Sequence, residues 1–365
     1  MDGKALADFL KTEKARIAGK NMVLGFDGFV DTIVRVVKHK AKGKPAFYFE
    51  KAHHLGNYIL EKEGRNLSIE LEERQTKLGG NMPIMSNALA RLAGKVSCIG
   101  ALGYPALHPV FAPMADLCTL YSYAEPGKST ALEFDDGKIL LGQMGALQDL
   151  GWAAIRERIG LPVLSELYQN CHLLALLNWG ELDQSTSIWK GLIREILPLC
   201  PNPEKQIVFV DLSDCSNRSE DELMEALDLL KLFSKTRHLV LSLNLNEAER
   251  IFQVISPAGT PQMENLGAVL FEQLSLQTLV IHHARQSAAW ENGDFQVLKT
   301  RYIQQPKIST GAGDHFNAGY AFGKMMELKA IDCLALGNAV SGYYLSSGSS
   351  PGWEDLLHSL TETNL

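Results

Sequence analysis

A parallel α/β sheet covered by helices on both faces, with a small β-sheet appended, is the architecture this sequence predicts. Three observations carry that reading. Short apolar runs recur at residues 22–26, 96–99, 172–177, 207–212, 239–243 and 278–281. Segments with helical spacing lie between most of them, at 85–92, 187–197, 220–233 and 266–274. Short apolar strands alternating with amphipathic helices mark βαβ units, whose sheet is buried on both sides. Two hairpin signals then break the alternation.

Taken in order, the run Met22-Val23-Leu24-Gly25-Phe26 opens the fold as a buried strand. Residues 32–37, the alternating stretch 68–78 and the region 119–142 are the pieces of the smaller sheet. Within the last, Asp135-Asp136-Gly137 joins two apolar stretches, and its Gly tolerates the backbone that a tight turn needs. A second hairpin turns at Asn292-Gly293. After about Gly313 the pattern is helical almost to the end, with Phe316, Tyr320 and Met326 on one stripe and 331–345 supplying another. No repeat or low-complexity tract appears, so residues 1–365 read as one large domain whose lid comes from separated segments.

Composition narrows the function. The 365 residues carry 35 Lys+Arg against 42 Asp+Glu, a net charge of −7, which disfavours nucleic acid or an anionic membrane as partner. No apolar run reaches the ~18–20 residues that span a bilayer, and residues 1–20 lack the apolar core of a secretion signal. Cys98, Cys118, Cys171, Cys200, Cys215 and Cys333 show no CxxC pair or zinc spacing, so buried, reduced thiols in a cytoplasmic protein are expected. P-loop, GxGxxG, HExxH and GxSxG motifs are missing.

The sharpest chemical feature is Ser309-Thr310-Gly311-Ala312-Gly313-Asp314, set at the start of a helix that continues through Ala318-Gly319-Tyr320. Helix starts present amides without intrahelical partners, backed by the positive end of the dipole. Gly311, Ala312 and Gly313 leave those amides uncovered, which makes an anion hole. Asp314 beside it has two readings. It is a helix N-cap, or it is the base that takes a proton from a hydroxyl attacking a phosphoryl group. Gly319 is expected to let the helix pack closely on a neighbour.

Thr310 through Asp314 resemble the second signature of the PfkB (ribokinase-like) carbohydrate kinases, with Ile308 where that family has a leading Asp. The first signature is echoed by Gly79-Gly80-Asn81 followed by Ala88-Leu89-Ala90-Arg91-Leu92-Ala93-Gly94, with Ile84 where an Asn is usual. Asn246 and Glu249 fit the family's Asn-x-x-Glu motif, and Val208-Phe209-Val210-Asp211 its Asp-ending strand. The nucleotide turn is atypical, reading His282-His283-Ala284-Arg285. Adjacent histidines on a strand face opposite ways, so they do not share a metal.

The resemblance implies a ribokinase-like three-layer α/β/α fold and a Mg²⁺-assisted, ATP-dependent kinase acting on a hydroxymethyl group of a sugar or polyol. It places Asp314 as base and Gly311–Gly313 as anion hole. Substrate falls to Asp31, Asp27, Gly79, Gly80 and Asn81, and nucleotide to Asn246, Thr310, Ala284, Arg285 and Asn338. Glu249 then holds the metal through water. A monovalent cation and a homodimer through the lid are left open. A nucleoside or ADP-dependent kinase of the same fold, or a non-catalytic sugar sensor, stands as the alternative.

Overall fold

The structure is a computed structural model that describes residues 1–362 apart from 93, 257, 258 and 260, so Ala93 of the first signature lies outside the described residues. Fourteen strands form two sheets: β1 (Asn21–Gly25), β2 (Phe29–His39), β3 (Phe47–Tyr48), β4 (Leu71–Gly79), β5 (Lys95–Gly100), β6 (Cys118–Ser122), β7 (Gly127–Phe134), β8 (Gly137–Gln143), β9 (Leu173–Leu177), β10 (Ile207–Asp211), β11 (His238–Asn244), β12 (Thr278–His283), β13 (Gln286–Glu291) and β14 (Asp294–Lys299). The larger sheet runs β14-β13-β12-β11-β10-β9-β1-β5-β6. Every pairing from β12 to β6 is parallel, and β13 and β14 add an antiparallel edge.

The continuous apolar runs have a simple cause. Val23, Leu174, Leu176, Val208, Val210, Leu239, Leu241, Leu279 and Ile281 point into one helical layer. Their neighbours Met22, Leu24, Leu173, Ala175, Phe209, Val240 and Val280 point into the other. Each strand is thus buried on both faces, and its pattern shows no polar alternation. The second layer holds the helices Asn81–Arg91, Ala312–Met325 and Ala330–Ser347. The second hairpin turns where expected, with Asn292 and Gly293 both at positive φ.

The smaller sheet has the order β3-β2-β7-β8, with β4 also paired to β2. One correction follows. Residues 118–122 are the edge strand of the larger sheet, in parallel register with β5, so the smaller sheet takes only 127–143 from that region. Cys118 is buried among the core residues of the main domain, which explains the assignment. The helix Ala52–Leu60 had no clear sequence signal; it covers Val34, Val36, Leu132 and Phe134 on one face of the smaller sheet through Leu55.

Strand order turns back at β1. The chain moves outward through β5 and β6, then returns to β9 on the other side of β1 and continues to β12. The C-terminal ends of β1, β9, β10, β11 and β12 border this switch point, where open α/β sheets bind ligands.

Gly319 packs as its position suggested. A β-carbon there would sit 2.5 Å from the Leu336 carbonyl oxygen of the neighbouring helix. Gly319→Ala is expected to cost about 1–3 kcal/mol of stability through overpacking. A urea titration reads this as a lower midpoint at unchanged slope.

Candidate active site

The site assembles from strand ends. Asp27 follows β1, Asn178 follows β9, Asp211 ends β10, Asn244 ends β11, and His282 lies near the end of β12. Across the cleft stands the helix Ala312–Met325, with Gly311 as its N-cap at φ 93°. Gly311, Ala312 and Gly313 are half-buried, so the loop keeps part of its surface accessible. The Ala312 amide is engaged by the Ser309 carbonyl at 3.2 Å, whereas the Gly313 amide has no protein acceptor among the described residues.

Asp314 is not an N-cap. It occupies the third position of the helix and is only 8% exposed. Burial pushes its carboxyl well above the usual range, and the nearby Asp211, Asp27 and Glu247 push it further. A proton-accepting carboxylate is raised this way when apolar walls and like charges oppose its ionisation.

Asp27 has a structural task at this site. It is fully buried and accepts from the Asn81 amide at 2.7 Å, the Met82 amide at 2.8 Å and Asn178 Nδ2 at 2.8 Å. The helix Asn81–Arg91 starts at Gly80, which has no side chain to cap it, so Asp27 caps it from across the cleft. Both carboxylate oxygens are thus engaged, and Asp27 positions this helix. Burial lifts its pKa to about 6. Asn81 is also occupied, its Nδ2 donating to Ser213 Oγ at 2.8 Å.

Asp31 keeps the open position. Its carboxyl is raised by burial, opposed by Lys77 and Lys138 on neighbouring strands, and accepts no hydrogen bond among the described residues. The two glycines explain the space. A β-carbon at Gly79 would overlap the Asp31 carboxylate, and one at Gly80 would sit 2.6 Å from Asp27 Oδ2. Glu181, in the loop after β9, was missed by sequence reading. Its carboxyl is raised by burial and by Asp27, Asp214 and Asp31. Arg218 fixes that loop by donating to the carbonyls of Trp179, Gly180 and Leu182, so it is not free for a phosphate.

The Asn-x-x-Glu register moves by two residues. Asn244 caps the helix Leu245–Ile255, and Glu247 completes a capping box with it. Glu247 is buried and faces Asp211 and Asp214, which together with burial raise its carboxyl well above the normal range. Asn246 is exposed, and Glu249, two residues beyond Glu247, lies on another face of the helix, half-buried. Helix periodicity decides this, because residues two apart lie on different faces. Asp211 accepts from Ser213 N at 2.8 Å and Asn317 Nδ2 at 2.6 Å, and burial lifts it to about 6.

Of the residues expected at a nucleotide, Ala284 and Arg285 form the exposed turn between β12 and β13. Arg285 lies over the Tyr302 ring at 4.7 Å. A cavity of about 640 Å³ beside it is lined by Thr300, Tyr302, Gln304, Asn338, Gly342 and Tyr343, among others. Asn338 accepts from Ser287 and Thr300 hydroxyls at 3.2 Å, while its buried Nδ2 has no partner. Ala284 is not part of that lining, and Arg285 reaches it through Tyr302. His282 turns inward against Phe316, with its Cε1 3.4 Å from where a β-carbon on Gly313 would stand, and His283 is exposed. Burial holds the His282 pKa near 4, so the ring is neutral beside the anion hole.

The raised carboxyl of Asp314 makes a stability prediction. In the folded state it keeps its proton above pH 3.8, the model-compound value, while the unfolded chain has lost it. Stability therefore falls as pH rises through that window. Asp314→Asn removes the effect. Its melting temperature should equal the parent's near pH 4 and exceed it increasingly as pH rises, as read by scanning calorimetry.

Comparisons with known proteins identify the family. The family described as prokaryotic ketohexokinase matches residues 3–363. A ketohexokinase of Haloferax volcanii is 26% identical over 349 residues, covering 93% of this chain and 91% of that protein. Among solved structures, the ribokinase of Arabidopsis thaliana complexed with ribose and ATP superposes with TM-score 0.64 at 17% identity, covering 93% of this chain and 98% of that one. The adenosine kinase of Sinorhizobium meliloti gives 0.65 at 16% identity, over 94% and 98%. These structures share the ribokinase fold. With a match that runs almost end to end, the chain belongs to the prokaryotic ketohexokinase family and is a carbohydrate kinase of the PfkB type.

Proposed function

We propose that this protein moves the γ-phosphoryl group of ATP to a hydroxymethyl oxygen of a ketohexose, with Asp314 as general base. The observation that carries the reading is the buried, proton-seeking Asp314 carboxyl next to the uncovered Gly313 amide. Asp31 and Glu181 receive sugar hydroxyls, since vicinal O–H groups donate well to carboxylates. The smaller sheet acts as a lid, and Asp31 rides on its β2, so closure over the sugar excludes competing water.

As the sugar oxygen attacks phosphorus, Asp314 takes its proton. The Gly311 and Gly313 amides and the helix dipole stabilise the charge on the phosphoryl oxygens. The orphaned Nδ2 of Asn338 and the cavity it lines suit a nucleobase, with Arg285 and Tyr302 at the rim. Asp211, Asp214 and Glu247 suit Mg²⁺, because their mutual repulsion calls for a cation. Among the described residues no three His, Cys, Asp or Glu side chains converge tightly enough for direct ligation, so these carboxylates would hold the ion through its waters. Magnesium supplies charge neutralisation at the phosphates when bound.

Phosphorylation assayed over ketohexoses, aldohexoses, pentoses and nucleosides, each with ATP or ADP as donor, tests the reading. Fastest turnover with a ketohexose and ATP is expected. No phosphorylation of any sugar would refute it. Asp314→Asn should lose about 10²–10⁴-fold in kcat with the sugar KM retained. Glu247→Gln should raise the Mg²⁺ concentration needed for half-maximal rate, while Glu249→Gln should not.

We also propose that the lid carries a dimer contact. The outer edge of β8 is unpaired among the described residues, and Leu140 and Leu141 on it are 58% and 50% exposed. Such an edge invites pairing with a second copy. Light scattering should give twice the chain mass, and Leu140→Lys should reduce it to the monomer value.

A further inference from the structure

Three consecutive carbonyls behind the anion hole are each tied to a side chain. Tyr344 O–H donates to the Thr310 oxygen at 2.8 Å. His315 Nδ1 and the Gly311 oxygen are 2.7 Å apart, and since a carbonyl only accepts, the ring nitrogen carries the proton. Ser341 O–H donates to the Ala312 oxygen at 2.9 Å. The His315 and Tyr344 rings stack at 3.6 Å with their planes 13° apart, so each fixes the other. His315 Nε2 in turn meets Ser350 Oγ at 2.8 Å, and Asn87 Nδ2 donates to that same oxygen at 3.2 Å. Burial keeps the imidazole pKa near 4, which leaves Nε2 as the acceptor at neutral pH.

Peptide geometry turns these bonds into an orientation. In a planar trans peptide the C=O of one residue and the N–H of the next point in opposite directions. Holding the Thr310 and Ala312 oxygens toward the helices therefore aims the Gly311 and Gly313 amides the other way, while the Ala312 amide is taken by the Ser309 carbonyl and the Gly311 oxygen also accepts from the His315 amide at 3.1 Å. We infer that Tyr344, His315 and Ser341 are positioning residues that preset the anion hole for the phosphoryl group in flight, and that no monovalent cation is needed behind this loop. Two of the three come from the helix Ala330–Ser347, which also bears Asn338, so one rigid element sets both the loop and the orphaned amide at the nucleotide cavity. Ile308, in place of an acidic residue at the start of the loop, removes the carboxylate an ion would prefer, which fits the second half of the inference.

The inference rests on the kinase reading, and the test separates the two. Tyr344→Phe, Ser341→Ala, His315→Ala and His315→Asn are compared with the parent and with Asp314→Asn as the control for chemistry. Melting temperatures establish that each is folded. In the folded variants Tyr344→Phe and His315→Ala should lower kcat about tenfold or more while leaving the sugar KM in place. His315→Asn should recover part of the loss, because its carboxamide can donate to the Gly311 oxygen. ADP affinity should be unchanged, whereas affinity for ADP with aluminium fluoride, a mimic of the transferring group, should fall in step with kcat. Replacing potassium or sodium by tetramethylammonium should leave parental turnover as it was. Full activity in folded Tyr344→Phe, Ser341→Ala and His315→Ala, with Asp314→Asn inactive, would overturn the positioning role and leave the kinase reading intact. Stimulation of the parent by potassium would overturn the cation-free claim. A parent that phosphorylates no sugar would instead sink the reading beneath both.

Discussion

Everything at this site answers to one electrostatic conflict: acidic side chains gathered from several elements face the positive end of one helix, with no basic side chain bonded among them. Burial raises Asp27, Asp211, Glu247 and Asp314; Asp211 raises Glu247 further, and Asp211, Asp27 and Glu247 raise Asp314 further. Folding tolerates this because the two most enclosed acids are fed by backbone and amide donors, three for Asp27 and two for Asp211. Asp314 has no such relief from outside its own residue, and its basicity is the consequence. These like charges oppose one another, and a cation with its phosphates, as proposed, would relieve them.

Satisfied and unsatisfied polar groups divide the labour. Asp27 and Asn81, expected from the sequence at the substrate, and Arg218 all make hydrogen bonds within the protein. They set the helix Asn81–Arg91 and the loop after β9 in place. Asp31, the Gly313 amide and Asn338 Nδ2 carry unspent capacity among the described residues, and the proposed reading assigns them to substrate, phosphoryl group and nucleobase. A buried polar group is costly when unpaired, so its persistence in a cleft points to a missing partner. Ile84 marks where these regions meet, 3.3 Å from the position a β-carbon on Gly311 would take.

Much of this was legible in the chain. Strand positions followed from apolar runs, because a doubly covered sheet requires them, and the hairpins followed from their turn residues. The Gly311–Asp314 motif was legible because small residues at a helix start have few purposes. Other features gave no such signal. The helix Ala52–Leu60 covers only the small sheet, and residues 118–122 read equally well as strand in either sheet. Glu247 and Glu249 both satisfied a spacing rule, and only the true start of the helix at Leu245 settled which one faces inward.

Amino-acid order by itself determined the sheet, its layers and the loop with bare amides, since each depends on local periodicity and on the steric freedom of glycine. Tertiary structure alone decided which acids are spent and which are available, because that depends on donors brought from distant segments. Asp27 is satisfied by Asn81, Met82 and Asn178, far from it in sequence, and the anion hole is aimed by Tyr344 and Ser341 from another helix. Hydrogen bonds between remote parts of the chain leave no pattern in the order of residues, so only the folded geometry reveals them.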